Sequence, residues 1–267
     1  MAYSAEMTID YAAQTTLITG ASAGIGVEFA RELARRGSNL VLVARRKERL
    51  DALAAELESA HGITVTVVPL DLSLPGAGAT ILAEAQRQGV TITSVINNAG
   101  FGTQGPFHLD VAARLTEEIT VNVSSLVDIS RTFIEPLRES GTGFLVNVAS
   151  LAGYFPSPRM AVYAATKAFV LNFTEALWFE SRDSGLRVLS VAPGATQTEF
   201  FDVAGPAAAS GATLQPPAGV IGATFKALDA RRSVPSVVVG RSNAIAASAM
   251  RLFTRRNLVL AAGRITT

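Results

Sequence analysis

The stretch TTLITGASAGIG, Thr15 to Gly26, decides how this chain is read. A short run rich in β-branched residues turns through three glycines and enters a helical pattern, VEFARELARRG (27–37). Glycines permit the tight turn, let a ligand approach the backbone and let helix pack close to strand. The first turn of the helix offers unpaired N–H groups and the positive end of its dipole, which suit a pyrophosphate. The spacing of Gly20, Gly24 and Gly26 is not G-x-G-x-x-G, so the strand–turn–helix context carries the argument. Gly20, Ser22, Gly24, Ile25 and Gly26 are the candidate phosphate contacts.

Outward from this turn, apolar runs alternate with helical patterns almost to the end. NLVLVAR (39–45), TVTVVPLDL (64–72), ITSVINN (92–98), GFLVNVAS (143–150), RVLSVAPG (187–194) and PSVVVG (235–240) read as strands. Their hydrophobicity is continuous rather than alternating, as in strands covered on both faces. KERLDALAAELESAHG (47–62), residues 110–141, residues 157–185 and GVIGATFKALDARR (219–232) read as helical, with Gly37, Gly62, Gly141 and Gly185 at their stops. The pattern predicts an α/β fold: one Rossmann-type, doubly wound, seven-stranded parallel sheet with helices on both faces, spanning 1–267 as a single domain. Residues 1–13 read as an N-terminal tail. Residues 195–219 read as a loop able to close over a substrate, with the Ala-, Gly- and Pro-rich 205–219 mobile.

Composition excludes several classes of function. The chain has 267 residues and no cysteine, so disulfides and thiolate metal sites are ruled out and a reducing compartment is expected. His61 and His108 share no ligand spacing, and no metal is expected. The opening lacks the blocks of a signal peptide, no apolar run approaches the ~20 residues of a spanning helix, and the cytoplasm is the expected location. A net charge of +1 gives no overall pull toward nucleic acid.

The second strand ends in Ala44-Arg45-Arg46. A site for NAD wants an acidic residue about 20 positions past the glycines, accepting from the ribose 2′-hydroxyl. Two guanidiniums stand there instead, suited to a 2′-phosphate, so NADP(H) is expected over NAD(H).

Lys167 stands four residues after Tyr163 in VYAATKAF (162–169), although the chain has only three lysines beside twenty arginines. An ammonium one helical turn from a phenol favours the phenolate and brings its pKa from ~10 toward working pH. Together TGASAGIG (19–26), NNAG (97–100), Asn122, Ser150, YAATK (163–167) and PGATQT (193–198) stand in one order and spacing. In these motifs the chain resembles the short-chain dehydrogenase/reductases of the shorter, single-domain branch, over roughly residues 14–240.

The resemblance implies a role for each matched position. Tyr163 exchanges the proton with a carbonyl oxygen, Lys167 lowers its pKa and holds the nicotinamide ribose, Ser150 holds the same substrate oxygen, and Asn122 supports the water path. Asp71 and Leu72 flank the adenine; Asn98, Ala99 and Gly100 pass beneath its ribose; Pro193, Gly194, Thr196 and Thr198 receive the nicotinamide. Phe101, Leu151, Phe155, Met160, Phe200 and Phe201 are candidate pocket residues, implying a hydrophobic ketone or aldehyde, or a 3-oxoacyl compound, exchanged with its alcohol. The alternative is a regulator that binds NADP(H) without turnover.

The chain departs from the family after Gly240. Members often end in a short tail at a tetramer interface, whereas residues 230–267 here carry seven arginines and no acid, leaving 1–229 at −6. The span 241–267 mixes apolar and basic positions at roughly helical spacing, which suits peripheral contact with an anionic membrane, a partner, or a cover for its own subunit. A homodimer or homotetramer is expected.

Overall fold

The computed structural model describes residues 8–205, 208, 213–250 and 252–266. Seven strands form one parallel sheet in the order β3-β2-β1-β4-β5-β6-β7. They are β1 (Thr15–Thr19), β2 (Asn39–Ala44), β3 (Val65–Pro69), β4 (Ser94–Asn97), β5 (Phe144–Val148), β6 (Arg187–Ala192) and β7 (Ser236–Val238). The order reverses between β1 and β4, the switch point where such sheets place their ligands.

Helices α1 (Gly24–Arg35), α2 (Lys47–His61) and α8 (Pro217–Leu228) cover one face; α3 (Ala77–Arg87), α5 (Ser125–Ser140) and α6 (Ala161–Glu180) cover the other. Neighbouring strand residues feed opposite cores. Ile18, Leu40 and Leu42 pack with Phe29, Leu33, Leu50 and Phe225, while Leu17, Val41 and Val43 pack with Ile81, Ile129 and Phe133. That two-sided burial is why the strands lack polar alternation.

Helix α3 is absent from the sequence reading. It opens on Gly76 without a side-chain cap of its own, and Asp128 of α5 instead accepts from the Gly78 N–H at 2.8 Å. A cap supplied from 50 residues away leaves no local signature. The stretch 110–141, read as one helix, is α4 (Ala112–Ile119) and α5 joined by a π-helical turn, Thr120–Ser124. Such turns mark functional positions, and this one carries Asn122.

The expected N-terminal tail is docked where it is described; residues 1–7 lie outside the described residues. Tyr11 is buried, packs on Phe144 and Phe225, and donates its hydroxyl to Asp229 at 2.6 Å. The expected lid loop contains α7 (Phe200–Ala204), while its residues 206–207 and 209–212 lie outside the described residues. The basic segment is two helices, α9 (Arg241–Met250) and α10 (Arg255–Thr266). Ala247 and Ala262 are buried against the body, and Asn243 Nδ2 stands 2.5 Å from where a side chain on Gly194 would begin. The inner face therefore covers its own subunit, while Ile245, Leu252, Phe253 and Leu260 stay exposed.

Candidate active site

A cleft of ≈ 520 Å³ lies over the carboxyl ends of the strands. Gly20, Ser22, Gly24, Ile25, Arg45, Arg46, Asp71, Leu72, Asn98, Ala99 and Gly100 line one end. Ser150, Tyr163, Lys167, Pro193, Gly194, Thr196 and Thr198 line the other, with all six aromatic and aliphatic candidates, Phe101, Leu151, Phe155, Met160, Phe200 and Phe201. Gly26 and Asn122, also predicted, stand behind the wall and shape it.

At the glycine turn, the residue before α1 is Ala23, which gives the helix no side-chain cap. Its first N–H groups therefore remain available to an anion. A side chain on Gly26 would collide with the Gly20 carbonyl and come within 2.7 Å of Asn98 Nδ2. Asn98 donates that nitrogen to the Thr19 carbonyl at 3.0 Å, and Thr19 Oγ1 accepts from the N–H groups of Asn98 (3.0 Å) and Ala99 (3.1 Å). Thr19 thus lashes the β4 end to the glycine turn, a role the sequence reading missed. The donor set fits a phosphate-bearing dinucleotide: uncapped helix N–H groups, close glycine packing and adjacent guanidiniums.

The two adjacent arginines separate. Arg46 donates to Ser22 Oγ at 3.0 and 3.2 Å and to Glu199 at 2.8 Å, and Arg49 joins it on Glu199 at 2.6 Å. Arg45 points elsewhere, 66% exposed and 3.7 Å from Glu117. Arg45 and Arg46 both line the cleft, and Arg46 shares Glu199 with Arg49, about one helical turn further on. The Ser73 N–H, with Arg45 as a lesser influence, holds the Asp71 carboxyl below its usual range.

At the other end the groups are buried. Asn122 is 1% exposed; its amide donates to the Phe101 carbonyl (2.9 Å) and Thr166 Oγ1 (3.0 Å), and its Oδ1 accepts from the Phe101 N–H (3.1 Å). Both amide hydrogens are committed, one to the 98–101 turn and one to Thr166 of α6, and one Oδ1 lone pair remains for a water. That oxygen lies 3.0 Å, and Lys167 Nζ 3.2 Å, from where a side chain on Gly100 would begin, so any larger residue would press on both groups. Lys167 donates to the Val148 carbonyl at 2.9 Å. Ser150 Oγ accepts from the Ala152 N–H at 3.2 Å and lies against the Tyr163 phenol.

The expected lowering of Tyr163 is reversed here. Burial pushes the phenol up to about 12; the Ser150 hydroxyl opposes this, and the charge of Glu118 adds to it. Lys167 stands 5.9 Å from the ring centroid and spends a donor on Val148. Burial pushes Lys167 down to about 8, with Glu118 opposing. Desolvation is the largest influence on both groups. Glu118, on α4, was also missed. It is fully buried, accepts from Thr103 Oγ1 at 2.6 Å, and burial raises its carboxyl pKa.

A family profile described as short chain dehydrogenase matches residues 14–208. The chain is 38% identical over 187 residues to sulfoacetaldehyde reductase 2 of Chromohalobacter salexigens, covering 69% of this chain and 73% of that one. It is 31% identical over 196 residues to the very-long-chain 3-oxoacyl-CoA reductase of Anas platyrhynchos, a match covering 71% of this chain but only 62% of the longer duck protein. A short-chain dehydrogenase from Sphingobium yanoikuyae, solved in complex with NADPH, superposes with a TM-score of 0.77 at 36% identity, covering 90% of this chain and 94% of the other. Site, sheet order and sequence agree: the chain belongs to the short-chain dehydrogenase family of oxidoreductases.

Proposed function

We propose that the protein is an NADP(H)-dependent reductase interconverting a hydrophobic ketone or aldehyde, or a 3-oxoacyl compound, with its alcohol. The carrying observation is the half-buried Tyr163 phenol between Ser150 and Lys167, at the far end of a cleft that begins at the glycine turn. The Sphingobium structure with NADPH supports the cofactor, and the 3-oxoacyl-CoA and sulfoacetaldehyde reductases support a carbonyl substrate.

A bound nicotinamide dinucleotide supplies the hydride. The chain supplies the proton and its placement. With its pKa pushed up, Tyr163 is a phenol at neutral pH and can give its proton to a carbonyl oxygen held by the Ser150 hydroxyl. Lys167, as the ammonium, stabilises the phenolate left behind, and a water accepted by the free lone pair of Asn122 Oδ1 would carry the replacement proton toward it. The apolar wall of Phe101, Leu151, Phe155, Met160, Phe200 and Phe201 selects a hydrophobic body. NADPH oxidation against a panel of hydrophobic ketones, aldehydes and 3-oxoacyl thioesters tests this. Tyr163→Phe is expected to lose about 10³-fold in turnover while still binding NADPH, and a fully active Phe variant would overturn the assignment.

Two further readings concern partners. The exposed Phe169 and Phe179 on α6 suit a homodimer or homotetramer, which light scattering of the purified protein tests; a monomer at micromolar concentration rejects it. The turn between α9 and α10, with Leu252 88% and Phe253 60% exposed beside Arg255 and Arg256, suits peripheral contact with an anionic membrane. Absence of co-sedimentation with phosphatidylglycerol vesicles at low salt rejects that.

A further inference from the structure

The Ser22–Arg46–Arg49 site holds an anion that belongs to the chain itself. Glu199 places Oε2 2.8 Å from Arg46 Nη1 and Oε1 2.6 Å from Arg49 Nη1, while Arg46 keeps its other two bonds to Ser22 Oγ. A carboxylate held by two guanidiniums beside a serine hydroxyl has the charge and acceptor pattern that a phosphate monoester offers. Glu199 comes from far along the chain and directly precedes α7, whose Phe200 ring packs 5.2 Å from the Tyr163 ring. All three side chains are close to half exposed, so the contacts can exchange with a competing anion at little cost.

We propose that Glu199 is a specificity-determining surrogate for the cofactor 2′-phosphate. Its carboxylate closes the anion site in the free protein, the 2′-phosphate displaces it, and the displacement releases the first residue of α7 from the adenosine end of the cleft. Arg49 is the second guanidinium that holds Glu199 in place. A dinucleotide with a bare 2′-hydroxyl has too little charge to displace Glu199 and leaves the α7 contact in place. The proposal rests on the NADP(H) reading above, so its test separates the two.

Calorimetric titration with adenosine 2′,5′-bisphosphate and with 5′-AMP isolates the 2′-phosphate from the nicotinamide. Wild type is expected to favour the bisphosphate. Glu199→Gln is expected to tighten bisphosphate binding about fivefold and Arg49→Gln to weaken it by a similar factor, with 5′-AMP unchanged in both. In wild type, the bisphosphate should also speed hydrogen exchange at amides 200–204, and Glu199→Gln should show the faster exchange without ligand. If wild type favours the bisphosphate but Glu199→Gln leaves its affinity unchanged or weaker, the surrogate role is wrong while the cofactor reading survives. If wild type binds both nucleotides equally, both fall.

Discussion

The two ends of the cleft solve opposite problems with different residue types. At the adenosine end, Arg45, Arg46, Arg49 and Glu199 are charged and about half exposed or more, and they pair mainly with other side chains. At the reaction end, Asn122 and Lys167 are nearly inaccessible and are held by backbone carbonyls and N–H groups. Exposed ion pairs are weak and exchangeable, which suits a site that must admit and release a ligand anion. Buried groups keep fixed partners and take their pKa values from desolvation, which suits a site that must hold a proton in one place. Substitutions should therefore affect turnover at one end and affinity at the other.

After Tyr163→Phe, the largest effect is expected for Lys167→Arg. The ammonium is a point donor to the Val148 carbonyl in a space closed by Gly100 and Asn122, and a planar guanidinium has neither the room nor the readiness to lose its proton. Turnover should fall about 100-fold or more, while NADPH affinity changes far less. A loss confined to affinity would erase the distinction between the ends.

Arg46→Ala sharpens the comparison from the other side. It removes the bonds to Ser22 and one bond to Glu199 on an exposed surface. Fluorescence titration should show NADPH binding weakened about tenfold, with NADH binding and turnover at saturating NADPH nearly unchanged. An equal loss for both nucleotides would mean that Arg46 shapes the turn rather than reading the 2′ position.

The contrast also explains what could be read from the residues alone. The strands were legible because burial on both faces writes continuous apolar runs such as NLVLVA in β2. The reaction-end residues were legible because Ser150, Tyr163 and Lys167 stand in the order and spacing in which the chain resembles its family. Helix α3 was not, since Asp128 supplies its cap from another helix. Arg49 and Glu199 were not, because an ion pair across 150 residues follows from where α7 begins over the sheet. The reversal of the Tyr163 shift was invisible for the same reason: sequence spacing gives the ammonium's proximity, but only the packed structure gives the burial that dominates.

The smallest expected effect is on the pH profile, and it turns on Glu118. Lys167 is pushed down to about 8 by burial, and it acts as the ammonium. The kcat/KM for carbonyl reduction, which reports the free enzyme, should therefore fall as pH rises through about 8. Glu118 opposes that lowering, with Arg114 and Asp110 the other charges acting on it. In Glu118→Gln the amide keeps the contact with Thr103 but carries no charge, so the falling limb should move to lower pH. The same substitution relieves one of the influences raising Tyr163, which titrates too high to contribute to that limb. Stability gives an independent sign. The folded state favours the neutral Lys167 amine, so the Lys167 contribution to stability is absent below pH 8 and grows as pH rises from about 8 toward the unfolded value of 10.5. Glu118→Gln should start that rise at lower pH, moving with the kinetic limb in thermal melts across the same range. A limb that stays in place while the melts shift would mean that Lys167 does not govern the reaction, and the buried end would hold its proton through Tyr163 and Ser150 alone.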